Sequence, residues 1–160
     1  TGQATGTDGN TWYQVNFTSA GPSFNKEQAE ASRQLLSRFI DALPAMPTVI
    51  AGFSQGGIMS ASVGLTAPAS VAGFALLSGR ILPEIEPRVP ADVGAHGLRA
   101  LVLHGRRDDK LPYALAERSD ARLTRFGVNH ELRGHDAGHE LTPAMAEDFA
   151  TWLGQTLRLE

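Results

Sequence analysis

The chain has 160 residues, 42% of them apolar and 19% charged, which is typical of a single globular domain. Its formal charge of −3 and sequence pI of about 5.9 do not indicate nucleic acid or an anionic membrane as the partner, since both call for basic patches. No run reaches the roughly 18–20 apolar residues of a transmembrane helix, and the absence of cysteine excludes disulfides, thiolate metal sites and a cysteine nucleophile.

The first part of the chain predicts a loop, an extended segment and one long helix. Residues Thr1 to Asn10 are rich in glycine and threonine and are typical of a loop. The stretch from Trp12 to Phe17 alternates apolar and polar residues, which predicts a short strand or an extended segment. Asn25 and Gln28 form a capping pair that begins a helix with one apolar face, and Pro44 ends it.

From residue 48 onward, short apolar runs alternate with helical stretches, interrupted once by a proline-rich loop. The predicted strands are Thr48–Ala51, Val71–Leu77, Leu98–Leu103 and Val128–Arg133, and the predicted helices are Gly56–Leu65, Tyr113–Phe126 and Pro143–Leu157. This order predicts an α/β fold in one domain over residues 1–160, with a mostly parallel sheet covered by helices on both faces. Active sites of such sheets lie at the carboxyl ends of the strands, so we expect the functional residues there.

Directly after the first of these strands, the run Gly52-Phe53-Ser54-Gln55-Gly56 matches the G-x-S-x-G pattern of a nucleophile elbow. Such a turn strains the serine backbone and raises its hydroxyl above the sheet, and we expect Gly52 and Gly56 to relieve the crowding around it. The backbone N–H of Gln55 then points at an oxyanion formed on the substrate. The alternative is a glycine-rich turn that contains an incidental serine.

A serine nucleophile needs a base to take its proton and an acid to orient that base. After the third strand the sequence reads His104-Gly-Arg-Arg-Asp108-Asp109-Lys-Leu-Pro112, with two acids where the orienting carboxylate belongs. Either of them could instead be a solvated loop charge that pairs with a neighbouring arginine or lysine. The sequence pattern alone leaves Asp108 and Asp109 as alternatives.

The base is expected in the loop Gly134-His135-Asp136-Ala137-Gly138-His139, which leads into the final helix. His139 is better placed than His135, which we expect either at the surface or behind the residues that form the site. The spacing of four residues between these histidines would suit a metal on a helix. However, Gly138 argues against a helix and there is no third ligand, so no metal is predicted.

With Ser54, Asp108 and His139 in place, the chain resembles the phospholipase/carboxylesterase family of α/β-hydrolases, which includes acyl-protein thioesterases and bacterial carboxylesterases. The matching motifs, which cover most of the chain from Trp12 onward, are Gly52-Phe-Ser-Gln-Gly-Gly57, Leu77-Ser78-Gly79 with Leu82-Pro83, His104-Gly-x-x-Asp108-x-x-Leu-Pro112, and Gly138-His139. The resemblance implies the α/β-hydrolase fold and hydrolysis of esters or thioesters without a cofactor. It also implies that Asp108, rather than Asp109, orients the base.

One family feature is missing from this chain. The family pattern begins with an apolar strand and a His-Gly-rich loop whose N–H completes the oxyanion hole, and losing such a donor typically costs about 10²–10³-fold in turnover. We therefore expect that the N-terminal strands are absent and that the edge beside Thr48–Ala51 is uncovered. A missing N-terminal segment or a partner chain would complete the fold. A homodimer is a further possibility. The final Leu159-Glu160 resembles a vector scar.

These observations predict a serine hydrolase that cleaves short or medium acyl esters, with lysophospholipids and thioesters as further substrates. The candidates for the substrate pocket, each of which could equally be core or lid packing, are Trp12, Leu82, Ile85, Leu111 and Leu141. Two alternatives remain, a serine peptidase or amidase on the same fold and a non-catalytic binding module derived from an esterase. The expected partner is a small-molecule ester. A chain without thiols suits either redox environment, so the compartment stays open, with the cytoplasm favoured.

Overall fold

The computed structural model describes residues 3–4 and 10–158, which begin with two small antiparallel strand pairs. Strand β1 (Gln3–Ala4) pairs with β2 (Asn10–Thr11), and β3 (Val15–Thr18) pairs with β4 (Gly21–Phe24). The extended segment predicted near Trp12 is therefore present as β3, whereas the loop prediction is wrong where β1 and β2 lie, and residues 1–2 and 5–9 lie outside the described part. Strand β4 was not predicted because a Gly-Pro pair begins it, and proline is tolerated only at the edge of a sheet.

The first helix, α1 (Lys26–Asp41), begins as predicted. The side chain of Asn25 accepts a hydrogen bond of 3.0 Å from the backbone N–H of Gln28 and so caps the helix. Part of the predicted apolar face is open to solvent, since Phe39 is 64% exposed. The buried residues Ala29 and Ile40 form the side of α1 that packs toward α2 (Gln55–Thr66).

The centre of the fold is a parallel sheet of four strands in the order β5 (Val49–Phe53), β6 (Gly73–Leu77), β7 (Arg99–Gly105) and β8 (Asn129–His135). The predicted parallel sheet is confirmed, and each strand begins one or two residues later than predicted. Strands β7 and β8 also continue two residues further, because their ladder runs through polar positions that pair His104 with Gly134 and Gly105 with His135. Hydropathy does not mark such positions as strand.

Helices cover both faces of the sheet, as predicted. Strand residues such as Phe74 and Val102 pack with α2 and α3 (Ala114–Arg125) on one face. Their neighbours along the strands pack with α4 (Pro143–Leu157), including Trp152, on the other. Since alternate residues of a strand face opposite sides, this division gives two cores. None of the described helices is long and apolar enough to cross a bilayer.

The predicted proline-rich loop between β6 and β7 contains two short 3-10 helices, Pro83–Arg88 and Val93–His96. Strand β5 lies at one edge of the sheet and, within residues 3–4 and 10–158, pairs only with β6. Its side chains are half-buried, and Ala51 is exposed. Because the strands are parallel, the carboxyl ends of β5, β7 and β8 lie at the same end of the sheet, which brings the predicted site residues together.

Candidate active site

Ser54 occupies the sharp turn between β5 and α2. Its backbone has φ 54° and ψ −119°, a conformation that costs a residue with a side chain on the order of 1–3 kcal/mol. The Ser54 N–H donates a 2.8 Å hydrogen bond to the carbonyl of Leu77, which ties the turn to the end of β6. The surrounding ladder therefore holds the strained turn in place.

Of the two glycines that flank Ser54 in the G-x-S-x-G motif, only Gly52 is crowded. A Cβ atom on Gly52 would lie 2.2 Å from the carbonyl carbon of Gly56, so only glycine fits there. A Cβ atom on Gly56 would meet nothing within 4 Å. The expectation that Gly56 relieves crowding is wrong, because Gly56 crowds the turn with its own backbone.

A continuous chain of hydrogen bonds joins Ser54, His139 and Asp108. The Nε2 atom of His139 lies 3.1 Å from Ser54 Oγ, and its Nδ1 atom lies 2.7 Å from Asp108 Oδ2. Because a carboxylate can only accept, Nδ1 carries the proton and Nε2 is left free to accept the Ser54 hydroxyl proton. The structure thus brings all three predicted residues together in the order that proton removal from the serine requires.

Main-chain contacts fix the loops that carry Asp108 and His139 against each other. The N–H groups of Arg106 and Arg107 donate to the carbonyls of His135 and Ala137, at 2.8 and 2.9 Å. A Cβ atom on Gly105 would lie 2.3 Å from the carbonyl oxygen of Gly138, so the loops approach as closely as glycine allows. The separation of the acid and the base is therefore set by backbone, not by side-chain packing.

The Asp108 carboxylate is buried, and all the bonds it accepts favour its charged form. Burial alone would raise the pKa of Asp108, but the bonds from the Leu111 N–H, from His139 and from the Lys110 N–H outweigh it and hold the pKa below its usual value. Asp109, the alternative acid, is exposed. The structure therefore provides an ionised carboxylate beside His139 at position 108.

His104 supports this arrangement, and the sequence patterns gave it no role of its own. The His104 ring is fully buried. Its Nε2 atom lies 2.7 Å from the Leu111 carbonyl oxygen and 3.5 Å from Asp108 Oδ2. The carbonyl can only accept, so Nε2 carries the proton. His104 thus holds the turn whose N–H groups bind Asp108. The available signal was a histidine directly after the largely apolar run Leu98–Leu103, four residues before Asp108.

The second histidine of the final loop, His135, does not join the site. Its Nε2 atom lies 3.0 Å from Asp148 on α4. Residues 136–142 are not helical, so His135 and His139 do not share a helix face. Within the part of the chain that the structure describes, no group of three or more His, Cys, Asp or Glu side chains could hold a metal ion.

A cavity of about 510 Å³ opens onto Ser54 and His139. The rest of its lining combines the charged residues Asp109 and Lys110 and the polar Gln55 with an apolar part, which consists of Tyr13, Val15, Pro22, Ile58 and Leu111. Of the expected pocket residues, only Leu111 lies there. Trp12, Leu82 and Ile85 pack with the core, and Leu141 is 50% exposed and lies outside this lining.

The sequence analysis missed Tyr13, which is 4% exposed and forms part of this lining. Burial raises the pKa of Tyr13 to about 12, with Arg80 opposing the shift and Glu84 adding to it. The phenol is therefore neutral at neutral pH. Gln55 also lines the cavity, and because it is the first residue of α2 its N–H has no acceptor within the helix.

The chain is similar to known proteins both in sequence and in structure. A model of the phospholipase/carboxylesterase family matches residues 3–157. Acyl-protein thioesterase 1 of Neurospora crassa is 34% identical over 125 residues, covering 73% of this chain and 51% of that protein. Acyl-protein thioesterase 1 of Eremothecium gossypii is 26% identical over 157 residues, covering 93% of this chain and 66% of that protein.

The chain thus spans about half and about two thirds of the length of these two relatives. The crystal structure of Zea mays acyl-protein thioesterase 2 superimposes with a TM-score of 0.80 at 20% identity, covering 92% of this chain and 73% of that one. At that identity the likeness shows the fold alone, and it confirms the predicted α/β-hydrolase architecture. Because the family model matches residues 3–157, the chain belongs to the phospholipase/carboxylesterase family.

Proposed function

We propose that this chain carries the nucleophile, base and acid of a serine hydrolase that cleaves carboxylic esters. The observation that carries the proposal is the chain of hydrogen bonds from Ser54 Oγ through His139 to Asp108, at 3.1 and 2.7 Å, at the wall of an apolar cavity. Family membership supports the same chemistry.

The reaction begins when His139 Nε2 takes the proton of Ser54 as the serine oxygen attacks the carbonyl carbon of the ester. Negative charge then develops on the former carbonyl oxygen, and the Gln55 N–H is the donor available to it. The ionised Asp108 stabilises the cationic ring of His139 and keeps its proton on Nδ1. A second oxyanion donor, expected from a His-Gly-rich loop, stays a prediction.

Collapse of this intermediate expels the leaving alcohol or thiol, which receives the proton held by His139 Nε2. Water then attacks the acyl group on Ser54, with His139 again taking a proton, and the acid is released. The chain's own side chains supply every proton transfer in this sequence, so the proposal needs no cofactor.

The cavity supports substrates with short or medium acyl chains. A volume of about 510 Å³ lies within the usual range for small-molecule sites, and the lining next to Ser54 is largely apolar. Two curated relatives are named acyl-protein thioesterases, which extends the proposal to thioesters. Lysophospholipid substrates, a homodimer, a completing segment and a cytoplasmic location stay predictions.

Turnover of p-nitrophenyl butyrate by the full protein tests the proposal. We expect Ser54→Ala to lower kcat by at least about 10⁴-fold without changing the fold, because no other group can form the acyl intermediate. Ser70→Ala is the matched control, since Ser70 precedes β6 at the opposite end of the sheet. Circular dichroism of both variants verifies folding.

Activity that survives in Ser54→Ala would overturn the assignment. The matched amide, butyryl p-nitroanilide, separates an esterase from a peptidase or amidase. Comparable kcat/KM for the amide and the ester would favour the peptidase reading. A folded full protein that turns over neither compound would favour a non-catalytic binding module.

A further inference from the structure

Side chains, not a strand ladder, hold the backbone between β2 and β3. The hydroxyl of Ser32 donates to the Trp12 carbonyl at 2.6 Å, and Gln28 Oε1 accepts from the Gln14 N–H at 2.8 Å. One main-chain bond, from the Asn25 N–H to the Gln14 carbonyl at 2.9 Å, joins this segment to the start of α1. The position of the segment therefore depends on polar side chains that reach across from other elements.

Gln55 provides the largest share of these contacts, from the turn that also carries Ser54. Its Oε1 atom accepts from the Trp12 N–H at 3.1 Å and from the Thr11 hydroxyl at 2.6 Å. Its Nε2 atom donates to the Tyr13 carbonyl at 3.1 Å. One amide side chain thus satisfies both a backbone donor and a backbone acceptor of consecutive residues.

This segment forms a wall of the cavity. Tyr13 is buried, lines the cavity that opens onto Ser54, and packs its ring 5.4 Å from that of Phe24. Because Gln55 binds the main chain on both sides of the bond between Trp12 and Tyr13, a shift of its side chain moves the wall. The N–H of the same residue faces the developing oxyanion in the proposed reaction.

We propose that the Gln55 side chain is a positioning residue that sets the acyl-binding wall and couples it to the oxyanion donor. This inference rests on the proposed function and adds to it a determinant of acyl-chain selectivity. Among the straight-chain residues of this length, only glutamine offers both an acceptor and a donor at neutral pH. A glutamate there would present a charged oxygen to the Tyr13 carbonyl.

The test compares p-nitrophenyl acetate with p-nitrophenyl octanoate in the full protein. Gln55→Met keeps the length of the side chain and removes all three bonds. We expect the ratio of kcat/KM for octanoate to that for acetate to fall on the order of 10-fold, mainly through KM for octanoate, because the longer chain needs the wall in place. Gln34→Met is the matched control, since Gln34 lies on the outer side of α1 and contacts Glu30.

Gln55→Glu adds a readout that general loss of stability would not produce. Its carboxylate keeps the two accepted bonds, and only its protonated form can donate to the Tyr13 carbonyl. We therefore expect the octanoate preference of Gln55→Glu, relative to the unchanged protein at each pH, to recover as the pH falls from 7 to 4, through the ordinary glutamate pKa of about 4.3. A ratio that is flat across this pH range would contradict the proposal.

Three further outcomes test the role of the Gln55 side chain. Equal losses for both esters in Gln55→Met would mean that the side chain only supports the elbow and would overturn the inference. If Gln55→Met does not fold, Thr11→Val removes the hydroxyl that lies 2.6 Å from Gln55 Oε1 and 2.8 Å from the Tyr13 carbonyl, and should shift the ratio in the same direction by a smaller factor. An unchanged protein that hydrolyses neither ester would refute the proposed function, whereas normal hydrolysis with unaltered selectivity in the variants would refute this inference alone.

Discussion

The two sides of the cavity are built by different means. On the side of Asp108 and His139, main-chain hydrogen bonds between neighbouring strand ends fix the loops, and Gly105 lets them approach closely. On the opposite side, side chains from α1 and the elbow hold residues 12–14. The sheet therefore sets the reacting groups, whereas the acyl wall depends on individual side chains and can change without disturbing those groups.

On the side of the cavity that carries Asp108 and His139, we expect Asp108→Asn to have the largest effect on activity. The amide cannot hold the proton on His139 Nδ1 or stabilise the cationic ring, so we expect kcat for p-nitrophenyl butyrate to fall about 10⁴-fold with KM little changed. Asp109→Asn tests the alternative acid, which is exposed and lines the same cavity, and its kcat should stay close to that of the unchanged protein. If both variants lost activity equally, the assignment of the acid to position 108 would be wrong.

A smaller effect is expected from His104, which acts on the same side through a side chain. His104→Phe leaves the Leu111 carbonyl without its donor, so the turn that binds Asp108 should shift and lower kcat on the order of 10- to 100-fold. His104→Gln can donate to that carbonyl and should retain more activity. If glutamine and phenylalanine at this position gave equal losses, the ring would matter for packing alone.

The smallest expected effect concerns stability at acidic pH. The hydrogen bonds to Asp108 hold its pKa in the folded state below the ordinary value of 3.8, which describes the unfolded chain. Their stabilisation is therefore complete above pH 3.8 and is lost as the pH falls through the lower folded-state pKa. The side-chain amide of Gln55 carries no charge, so its hydrogen bonds on the opposite wall add no dependence of stability on pH.

Thermal unfolding between pH 6 and pH 2.5 measures this difference. We expect the Tm of the unchanged protein to fall more steeply below pH 3.8 than that of Asp108→Asn, whereas Gln55→Met should follow the unchanged protein. A curve for Asp108→Asn parallel to that of the unchanged protein over this range would show that Asp108 makes no such contribution.

The same division explains what the sequence could predict. Strand periodicity and strand-end motifs anticipated the parallel sheet and the meeting of Ser54 and His139 with an acid, because backbone pairing alone brings strand ends together. The choice of Asp108 over Asp109 came from the family resemblance. The sequence patterns missed the continuation of β7 and β8 through His104 and Gly134, since polar residues carry no hydropathy signal. The sequence also could not show that Gly52 is crowded while Gly56 is not, because this depends on how closely the Gly56 backbone approaches Gly52.

The cavity lining was the least predictable part. Trp12 and Leu82 were expected there because of their size and apolar character, but both pack with the core. Tyr13 lines the cavity instead, because its neighbours are bonded to Gln55, a residue more than 40 positions further along the chain. A pattern within one segment holds no information about a partner so far away in sequence.

The most direct test of the central claim is to find the residue that reacts as the nucleophile. The full protein is treated with a fluorophosphonate probe and digested, and mass spectrometry locates the adduct, with Ser54→Ala and Ser70→Ala treated alongside. We predict a single adduct on Ser54 that is absent from Ser54→Ala and unchanged in Ser70→Ala. An adduct on another residue, or none in folded protein that turns over esters, would contradict the assignment of Ser54 as an activated nucleophile.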